Sequence, residues 1–243
     1  TSGTTATYYV DGQAVYSSSK APYYYDLDLS SLSAGQHTLR VESKGGQFSA
    51  SSATYTLTIP EGPQVPSAWA QALIDEAEGK NLVTSRVDEL YHDQITRLQF
   101  AELAVNLIEE ATGKEITPST QSFTDTSDPM VLKAVAAGVT SGKGEGIFAP
   151  SDKITRQEIC VMLNRVIEYV DEANGTSTLE NTDTTVDSAR FPDAAQIDSW
   201  AAPSVALLTN NGLMSGKDTG VAPHDNTTVE EAIILVLALN KEF

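Results

Sequence analysis

From residue 67 onward, apolar residues recur at spacings of three and four, which is the pattern of a helix with one buried face. Three of these runs begin with a threonine that is followed three residues later by glutamine or glutamate: Thr96 and Gln99, Thr155 and Glu158, and Thr228 and Glu231. In such a capping box the threonine oxygen accepts a hydrogen bond from the third backbone N–H, and the third side chain accepts one from the threonine N–H. The sequence therefore predicts three helices that begin directly after these threonines.

A shorter apolar run precedes each capped helix. The first and third runs match residue by residue, and the second is a shorter version of them: Trp69, Ala70, Ile74 and Ala77; Trp200, Ala201, Val205 and Leu208; Val131 and Ala134. The chain thus repeats one unit, which consists of a helix, a loop and a capped helix.

Residues 1–59 show a different pattern, in which apolar and polar residues alternate as they do in β-strands. Asp11-Gly12 separates two such runs and predicts a tight hairpin turn. Further runs at Tyr23–Leu29, His37–Val41 and Ala53–Ile59 bring the expected number to about five strands. Their tyrosines form either a sugar-binding face or, as is more common in strands, packing contacts.

Proline-rich and polar stretches mark the expected boundaries. The proline-rich segment 60–66 predicts a semi-rigid linker, and the polar stretch 171–190 predicts a surface connection. In that connection Asn181, Asp183 and Asp187 either approach a calcium ion or lie in solvent, and the missing EF-hand glycine and glutamate favour solvent. We expect a β domain at 1–59, a linker at 60–66, repeats at 67–116, 117–170 and 191–243, and the connection at 171–190.

The charge balance excludes one class of partner. The chain has 33 acidic and 15 basic residues and a formal charge of −18, whereas nucleic acids are bound by basic stripes. We therefore expect no nucleic acid partner. No apolar run approaches the roughly 18 residues of a membrane helix, so no membrane insertion is expected. The first residues lack a basic and apolar export signal, so we expect that such a signal either lies outside this sequence or does not exist.

The sequence has few candidates for catalytic, metal-binding or disulfide-forming residues. The single cysteine, Cys160, cannot form an internal disulfide and lies at the start of an apolar stripe, so we expect it in the core. The histidines His37, His92 and His224 lack zinc-like spacing, and no Ser-His-Asp or Cys-His arrangement is suggested. The sequence predicts no enzyme, no metal site and no cofactor.

Arg97 and Arg156 follow two of the capping threonines, although the positive first turn of a helix favours an acidic residue. Two explanations stay open. Either both arginines are solvated, or a guanidinium and free backbone N–H groups converge on one carboxylate or phosphate. The third capped helix has Val229 at this position, so we expect no such anion site there. Lys143 and Lys217, each after Ser-Gly, hold matching positions from which a second cation can reach a groove.

Several motifs occur together between residues 67 and 243. They are an F-x-D start at Phe123/Asp125 and Phe191/Asp193, a W-A pair at Trp69 and Trp200, a G-x-F-x-P loop at Gly146, Phe148 and Pro150, and the T-R-x-E helix start at Thr155. With these motifs the region resembles three repeats of the S-layer homology (SLH) domain. Residues 1–59 resemble the Ig-like domains of bacterial surface proteins.

The resemblance implies a multidomain fold, with an Ig-like β-sandwich followed by an all-α SLH pseudo-trimer of helix-loop-helix repeats. About five strands are fewer than the roughly seven of such a sandwich, so we expect the sandwich to be truncated, with the fragment beginning inside it. The internal pseudo-threefold repeat leads us to expect a monomer.

The resemblance also implies a function. SLH repeats form a non-catalytic anchor whose grooves bind pyruvylated secondary cell-wall polysaccharide of Gram-positive bacteria, outside the cell at the cell wall or cell surface. In the family the arginine of T-R-x-E is a main contact for the acidic ketal, and by position this role falls on Arg156 and Arg97. The expected ligand-binding residues are Arg156, Arg97, Trp69, Trp200, Asp125, Asp193, Lys143 and Lys217.

Two other functions stay open from the sequence. One is protein–protein adhesion or a spacer role, with the Ig-like domain carrying the interaction. The other is a remnant of a wall-active enzyme whose catalytic domain is absent. The arginines of the capped helices favour the wall-binding anchor.

Overall fold

The computed structural model describes residues 4–45, 48–59, 62–217 and 220–243. The chain divides into two compact units, Thr1–Pro63 and Gln64–Phe243. This division falls inside the predicted linker 60–66, of which Pro60 and Glu61 lie outside the described residues.

The first unit is an antiparallel β-sheet. Its described residues form the strands β1 (Thr5–Val10), β2 (Gln13–Ser18), β3 (Gly35–Gly45), β4 (Phe48–Ser51) and β5 (Tyr55–Ile59). The strands pair in the order β2-β1-β3-β4, and β5 pairs with the first half of β3. The predicted hairpin is confirmed, because Asp11 and Gly12 join β1 to β2 with positive φ angles of 51° and 77°.

Two expectations for this unit are wrong. Instead of the two facing sheets of a sandwich, the described strands form one sheet, because the long strand β3 pairs along both of its edges. The segment Tyr23–Leu29 is not a strand. The ring of Tyr25 stacks on that of Tyr16, with centroids 4.8 Å apart, and the carbonyl oxygen of Tyr23 accepts a hydrogen bond from the Tyr8 hydroxyl at 2.6 Å. The alternating pattern there reflects packing on β1 and β2 rather than strand pairing.

The second unit is all-α. Within its described residues the helices are α1 (Gln71–Gly79), α2 (Arg97–Thr112), α3 (Pro129–Ala136), α4 (Arg156–Asn174), α5 (Ala202–Asn210) and α6 (Val229–Asn240). In chain order they make three helix pairs, α1 and α2, α3 and α4, and α5 and α6, each with a short helix before a longer capped one. In space each short helix packs on a capped helix of another pair: α1 on α6, α3 on α2, and α5 on α4. The predicted capping boxes are all present: Thr96 with Gln99, Thr155 with Glu158, and Thr228 with Glu231.

The matched apolar residues of the short helices face one core. Eight of them are fully buried in a single hydrophobic cluster: Ala70, Ile74, Ala77, Val131, Ala134, Ala201, Val205 and Leu208. The two tryptophans that begin the first and third runs are exposed instead of buried: Trp69 is 61% exposed and Trp200 is 55% exposed. The helical repeat therefore buries the matched aliphatic residues and leaves these two indole rings exposed.

Backbone hydrogen bonds join the three helix pairs into a closed ring. The first N–H of each capped helix donates to a loop carbonyl of another pair: Arg97 to Asp152 at 2.9 Å, Arg156 to Asp225 at 3.0 Å, and Val229 to Asp93 at 2.9 Å. The second N–H does the same: Leu98 to Pro150, Gln157 to Pro223, and Glu230 to Tyr91. The bonds run from the first pair to the second, from the second to the third, and from the third back to the first. Each helix start is thus completed by a neighbouring pair.

Two aspartates hold loops that receive these bonds. Each carboxylate accepts hydrogen bonds from two successive backbone N–H groups: Asp125 from Phe148 and Ala149 at 3.0 and 2.7 Å, and Asp193 from Val221 and Ala222 at 2.9 and 2.7 Å. Ala149 and Ala222 have φ angles of 60° and 53°, a region that residues with a side chain rarely adopt. The carboxylate contacts therefore fix a turn that the backbone alone disfavours.

The polar connection 171–190 is attached to the helical unit. Its first residues belong to α4, and the carboxylate of Asp171 accepts hydrogen bonds from the N–H and the hydroxyl of Thr178 at 3.0 and 2.7 Å. Leu179 and Val186 pack against the hydrophobic cluster. Most residues of the segment are exposed, as expected of a surface connection, and these contacts attach it to the helical unit.

Thr155→Ala removes the side-chain acceptor of the α4 capping box, so we expect the free energy of unfolding to fall by about 0.5–2 kcal/mol. Urea denaturation at constant pH measures the change. Thr155→Ser is the matched control, because it keeps the hydroxyl that accepts from the Glu158 N–H. If the serine and alanine variants lose equal stability, the capping oxygen does not stabilise this helix start.

Limited proteolysis should cut the folded protein first between Ile59 and Gln64, where the chain passes from one compact unit to the other. We expect slower cleavage in residues 175–190, because this stretch is bonded to α4 and packs on the cluster. Mass spectrometry of the first fragments identifies the cut. A first cut inside 175–190 would contradict the attachment of the connection.

Acid should destabilise the helical unit partly because it protonates the Asp125 carboxylate. The N–H of Phe148 lowers the pKa of the Asp125 carboxyl, and burial opposes this shift. Because the folded-state pKa lies below the unfolded value, the contribution is fully present above about pH 4 and is lost as the pH falls through the folded pKa. Asp125→Asn should therefore be less stable than the parent at neutral pH and should show a shallower decline below about pH 4. Unfolding free energies measured from pH 7 to pH 3 check this, and equal slopes would contradict it.

Candidate functional site

A groove runs along α4 and is lined by all three helix pairs. Its lining residues are Arg97 of α2; Glu158, Val161, Met162 and Arg165 of α4; Thr140, Ser141 and Gly142 of the loop after α3; and Trp200 before α5. The cavity volume is about 180 Å³, below the roughly 300–1,000 Å³ of pockets for drug-sized ligands. The α4 groove therefore has room for one small residue or substituent of a ligand.

Arg97 is fixed at one end of the α4 groove. It is 6% exposed, so the solvated explanation is wrong for this residue. Its Nε donates to the carbonyl oxygen of Phe148 at 3.1 Å, and a terminal nitrogen lies 3.5 Å from Oε1 of Glu158. Burial lowers the pKa of the Arg97 guanidinium, whereas the carboxylates of Glu158 and Asp152 raise it. An arginine remains charged at neutral pH, so a held cation lines the groove.

Arg156 makes the corresponding contacts one helix pair further along. It is 5% exposed, its Nε donates to the carbonyl oxygen of Val221 at 2.7 Å, and a terminal nitrogen donates to that of Ser215 at 2.8 Å. Val229 holds the equivalent place in α6 and is fully buried. Both arginines therefore connect neighbouring helix pairs, in addition to any contact with a ligand.

The anion site expected at these helix starts needs a correction. The sequence suggested that free backbone N–H groups and a guanidinium converge on one anion. In the structure the first two N–H groups of α2 and α4 donate to loop carbonyls of the next pair, and the third donates to the capping threonine. The backbone donors are already used, so an anion at these positions can be bound by side chains alone.

Of the other residues predicted to bind a ligand, one lines the α4 groove and five do not. Trp200 forms part of the α4 groove. Lys143 contacts Asp152 at 2.5 Å, and Lys217 contacts Glu231 at 3.2 Å. Asp125 and Asp193 use both carboxylate oxygens to hold loops. Trp69 is exposed before α1.

Sequence reasoning missed two parts of the groove, Arg165 and the loop Thr140–Gly142. Arg165 lies seven residues after Glu158, about two helical turns further along the same face of α4. Helical spacing measured from the T-R-x-E signature was the signal that could have found it. The loop residues carry no comparable signal, because their position depends on how the second pair folds.

The described ranges give little support for a metal site, a reactive thiol or a membrane-spanning helix. They contain no group of three or more histidine, cysteine, aspartate or glutamate side chains that could hold a metal ion. The three residues considered for calcium, Asn181, Asp183 and Asp187, each accept a hydrogen bond from the backbone N–H two residues later. Cys160 is fully buried, as predicted, and burial raises the pKa of its thiol to about 12, so it is not a reactive thiolate. No helix among these residues combines the length and apolar character needed to cross a membrane.

Known protein families match three segments of the chain. The bacterial Ig domain family matches residues 4–41, within the β-sheet unit. The S-layer homology domain family matches residues 124–160 and 190–233, which cover α3 with the start of α4, and α5 with the start of α6. Two segments are matched, whereas the sequence motifs suggested three repeats.

Curated relatives are similar at 24–26% identity. An amylopullulanase of Thermoanaerobacterium thermosulfurigenes is 26% identical over 90% of this chain. An endoglucanase of Bacillus sp. (strain KSM-635) is 25% identical over 71%, and S-layer protein EA1 of Bacillus anthracis is 24% identical over 74%. The chain spans only 12%, 18% and 20% of the length of these three relatives.

The matched domain types have a common role. S-layer homology domains are cell-surface anchoring modules, and neither they nor Ig-like domains are catalytic. In relatives named as enzymes, the aligned region is a small accessory part. The chain therefore joins a bacterial Ig domain to S-layer homology domain sequence, and it carries the cell-surface anchoring modules of an extracellular protein.

Proposed function

We propose that the helical unit consists of three S-layer homology repeats in a pseudo-trimer, and that it anchors the protein by binding an acidic secondary cell-wall polysaccharide. The first helix pair has no family match, but it shares the capping box and the ring of backbone bonds with the other two. These shared features support a third repeat with a diverged sequence. The expected boundaries, 67–116, 117–170 and 191–243, follow the same division.

The observation that carries this proposal is the cation in the α4 groove. The chain has a formal charge of −18, so a groove that contains two arginines and one carboxylate is a local exception. Arg97 is held by Phe148 and is shielded from water, which strengthens its attraction for an anionic group. A carboxylate of the glycan, such as a pyruvyl ketal, can accept a charge-assisted hydrogen bond from it.

Trp200 supplies the second part of the proposed binding mode. Its exposed indole ring offers an apolar face beside the cation. A pyranose ring has apolar C–H faces and polar edges, so one face can pack on the indole while an acidic substituent reaches Arg97. The cavity of about 180 Å³ accommodates such a substituent without enclosing the whole chain, which suits attachment along a long polymer.

Arg97, Arg156 and Val229 each follow a capping threonine, and the proposal assigns a different role to each of them. Arg97 is the first candidate for glycan contact, because it lines the α4 groove. Arg156 is the second candidate, because two of its nitrogens already donate to loop carbonyls. Val229 offers no charge and is not expected to contact an anion. Lys143 and Lys217 are paired with carboxylates and would contribute only if those pairs open.

Arg97→Gln should weaken binding to the purified acidic wall glycan by roughly tenfold or more, because a charge-assisted hydrogen bond is worth about 1.5–3 kcal/mol. Calorimetric titration of the full chain at fixed salt measures the affinity. Lys114→Gln is the matched control, since it removes one positive charge from an exposed residue outside the groove. Melting temperatures of both variants separate lost binding from lost folding.

The parent protein should also bind pyruvylated glycan more tightly than the same glycan after chemical removal of the ketal. If Arg97→Gln binds like the parent, the arginine mechanism is wrong. If the parent binds neither glycan but still binds whole cell walls, a protein–protein adhesion module should replace the present proposal.

A further inference from the structure

Arg165 is a cation whose role the fold does not explain. Its Nη1 donates to the carbonyl oxygen of Val139 at 3.1 Å, a single bond within its own helix pair. In the part of the chain that the structure describes, no carboxylate lies within ion-pair distance of it. Its side chain is only partly buried and lines the α4 groove. Its remaining guanidinium donors are therefore available to a ligand.

The charges around Arg165 leave the groove with an excess of positive charge. The lining contains Arg97, Arg165 and one carboxylate, that of Glu158. Glu158 is partly occupied, because its Oε2 accepts hydrogen bonds from the N–H and the hydroxyl of Thr155 at 2.9 and 3.0 Å. Two guanidinium groups and one carboxylate leave the lining with one net positive charge, which an anionic group of a ligand would balance.

The other capped helices show that this second arginine is not required by the fold. Arg165 lies ten residues after the capping residue Thr155, and the residues ten positions after Thr96 and Thr228 are Asn106 and Ala238. Neither of these can carry a positive charge, yet both helices form the same capping box and ring bonds. The arginine is specific to the α4 groove.

We propose that Arg165 is a second anion-binding residue of the α4 groove, and that an anionic group of the glycan contacts both Arg97 and Arg165. The inference rests on the proposed function and adds a binding residue to its site. The anionic group can be a carboxylate or a phosphate ester. Both fit the shared chemistry, because a guanidinium fork binds either group through paired hydrogen bonds.

The first experiment probes the groove without the glycan. The chain has two tryptophans, so the indole N–H signal of Trp200 reports on the groove and that of Trp69 is an internal reference. Inorganic phosphate, at a pH where it is doubly charged, is titrated against acetate at constant ionic strength. We expect phosphate to shift the Trp200 signal at lower concentration than acetate, with little effect on Trp69.

Variants then assign the effect to Arg165. Arg165→Gln should weaken the phosphate response by roughly tenfold, and Arg165→Lys should weaken it less, because lysine keeps the charge but not the fork. Lys114→Gln is the control for a change in net charge. Unchanged phosphate binding in a folded Arg165→Gln variant, judged by its melting temperature, overturns the inference.

Glycan titrations of the parent and of the arginine variants separate this inference from the proposed function. If the parent does not bind wall glycan but its phosphate response depends on Arg165, the proposed function fails and the two-cation groove stands. If Arg97→Gln loses glycan affinity and Arg165→Gln does not, the proposed function stands and the inference fails. Removal of phosphate or of carboxylates from the glycan identifies the source of charge. Arg165-dependent binding that survives both treatments contradicts contact with an anionic group.

Discussion

The helical unit depends on how the first N–H groups of its capped helices are satisfied. An α-helix leaves the backbone donors of its first turn without internal partners, and a buried donor left unpaired costs about 1–3 kcal/mol. Here the first two donors of each capped helix bond to a loop of another helix pair, and a threonine accepts from the third. Because the bonds close a ring, the start of each capped helix requires the loop of another pair to be in place.

The same backbone hydrogen bonds also position residues that line the α4 groove. The loop that completes the start of α2 includes Phe148 and Pro150, and it is held by Asp125. Arg97 follows the capping threonine directly, so its side chain extends over that loop and donates to the Phe148 carbonyl. The cation is thus positioned by bonds that the fold needs in any case. A group held in this way loses little conformational entropy on binding, which favours affinity.

A repeated scaffold carries different chemistry at its equivalent places. The position after the capping threonine is Arg97, Arg156 and then Val229. Arg86 of the first helix pair contacts Glu102 of the same pair and Asp128 of the second pair at 2.5 and 2.6 Å. Two carboxylates of the protein thus pair with this arginine, whereas the α4 groove has one carboxylate, that of Glu158, beside Arg97 and Arg165. Backbone bonds tolerate such differences, because they do not depend on side-chain charge.

The sequence alone determined the elements whose cause is local. Thr155 and Glu158 specify a helix start through their own backbone contacts, and Asp11-Gly12 specifies a hairpin through its φ angles, so both could be predicted and are present. Tyr23–Leu29 shows the limit of such patterns, since alternation reads the same in a paired strand and in a segment that packs on a neighbouring hairpin.

Only the tertiary structure decided which side chains meet. Arg97 and Arg165 are distant in sequence, and nothing local indicates that α2 places one beside α4 while α5 brings Trp200 to the same groove. The tertiary structure also removed the backbone donors from the expected anion site, because carbonyls from another helix pair accept from them. Capping and turn geometry act within a few residues, whereas the groove depends on the closure of the ring.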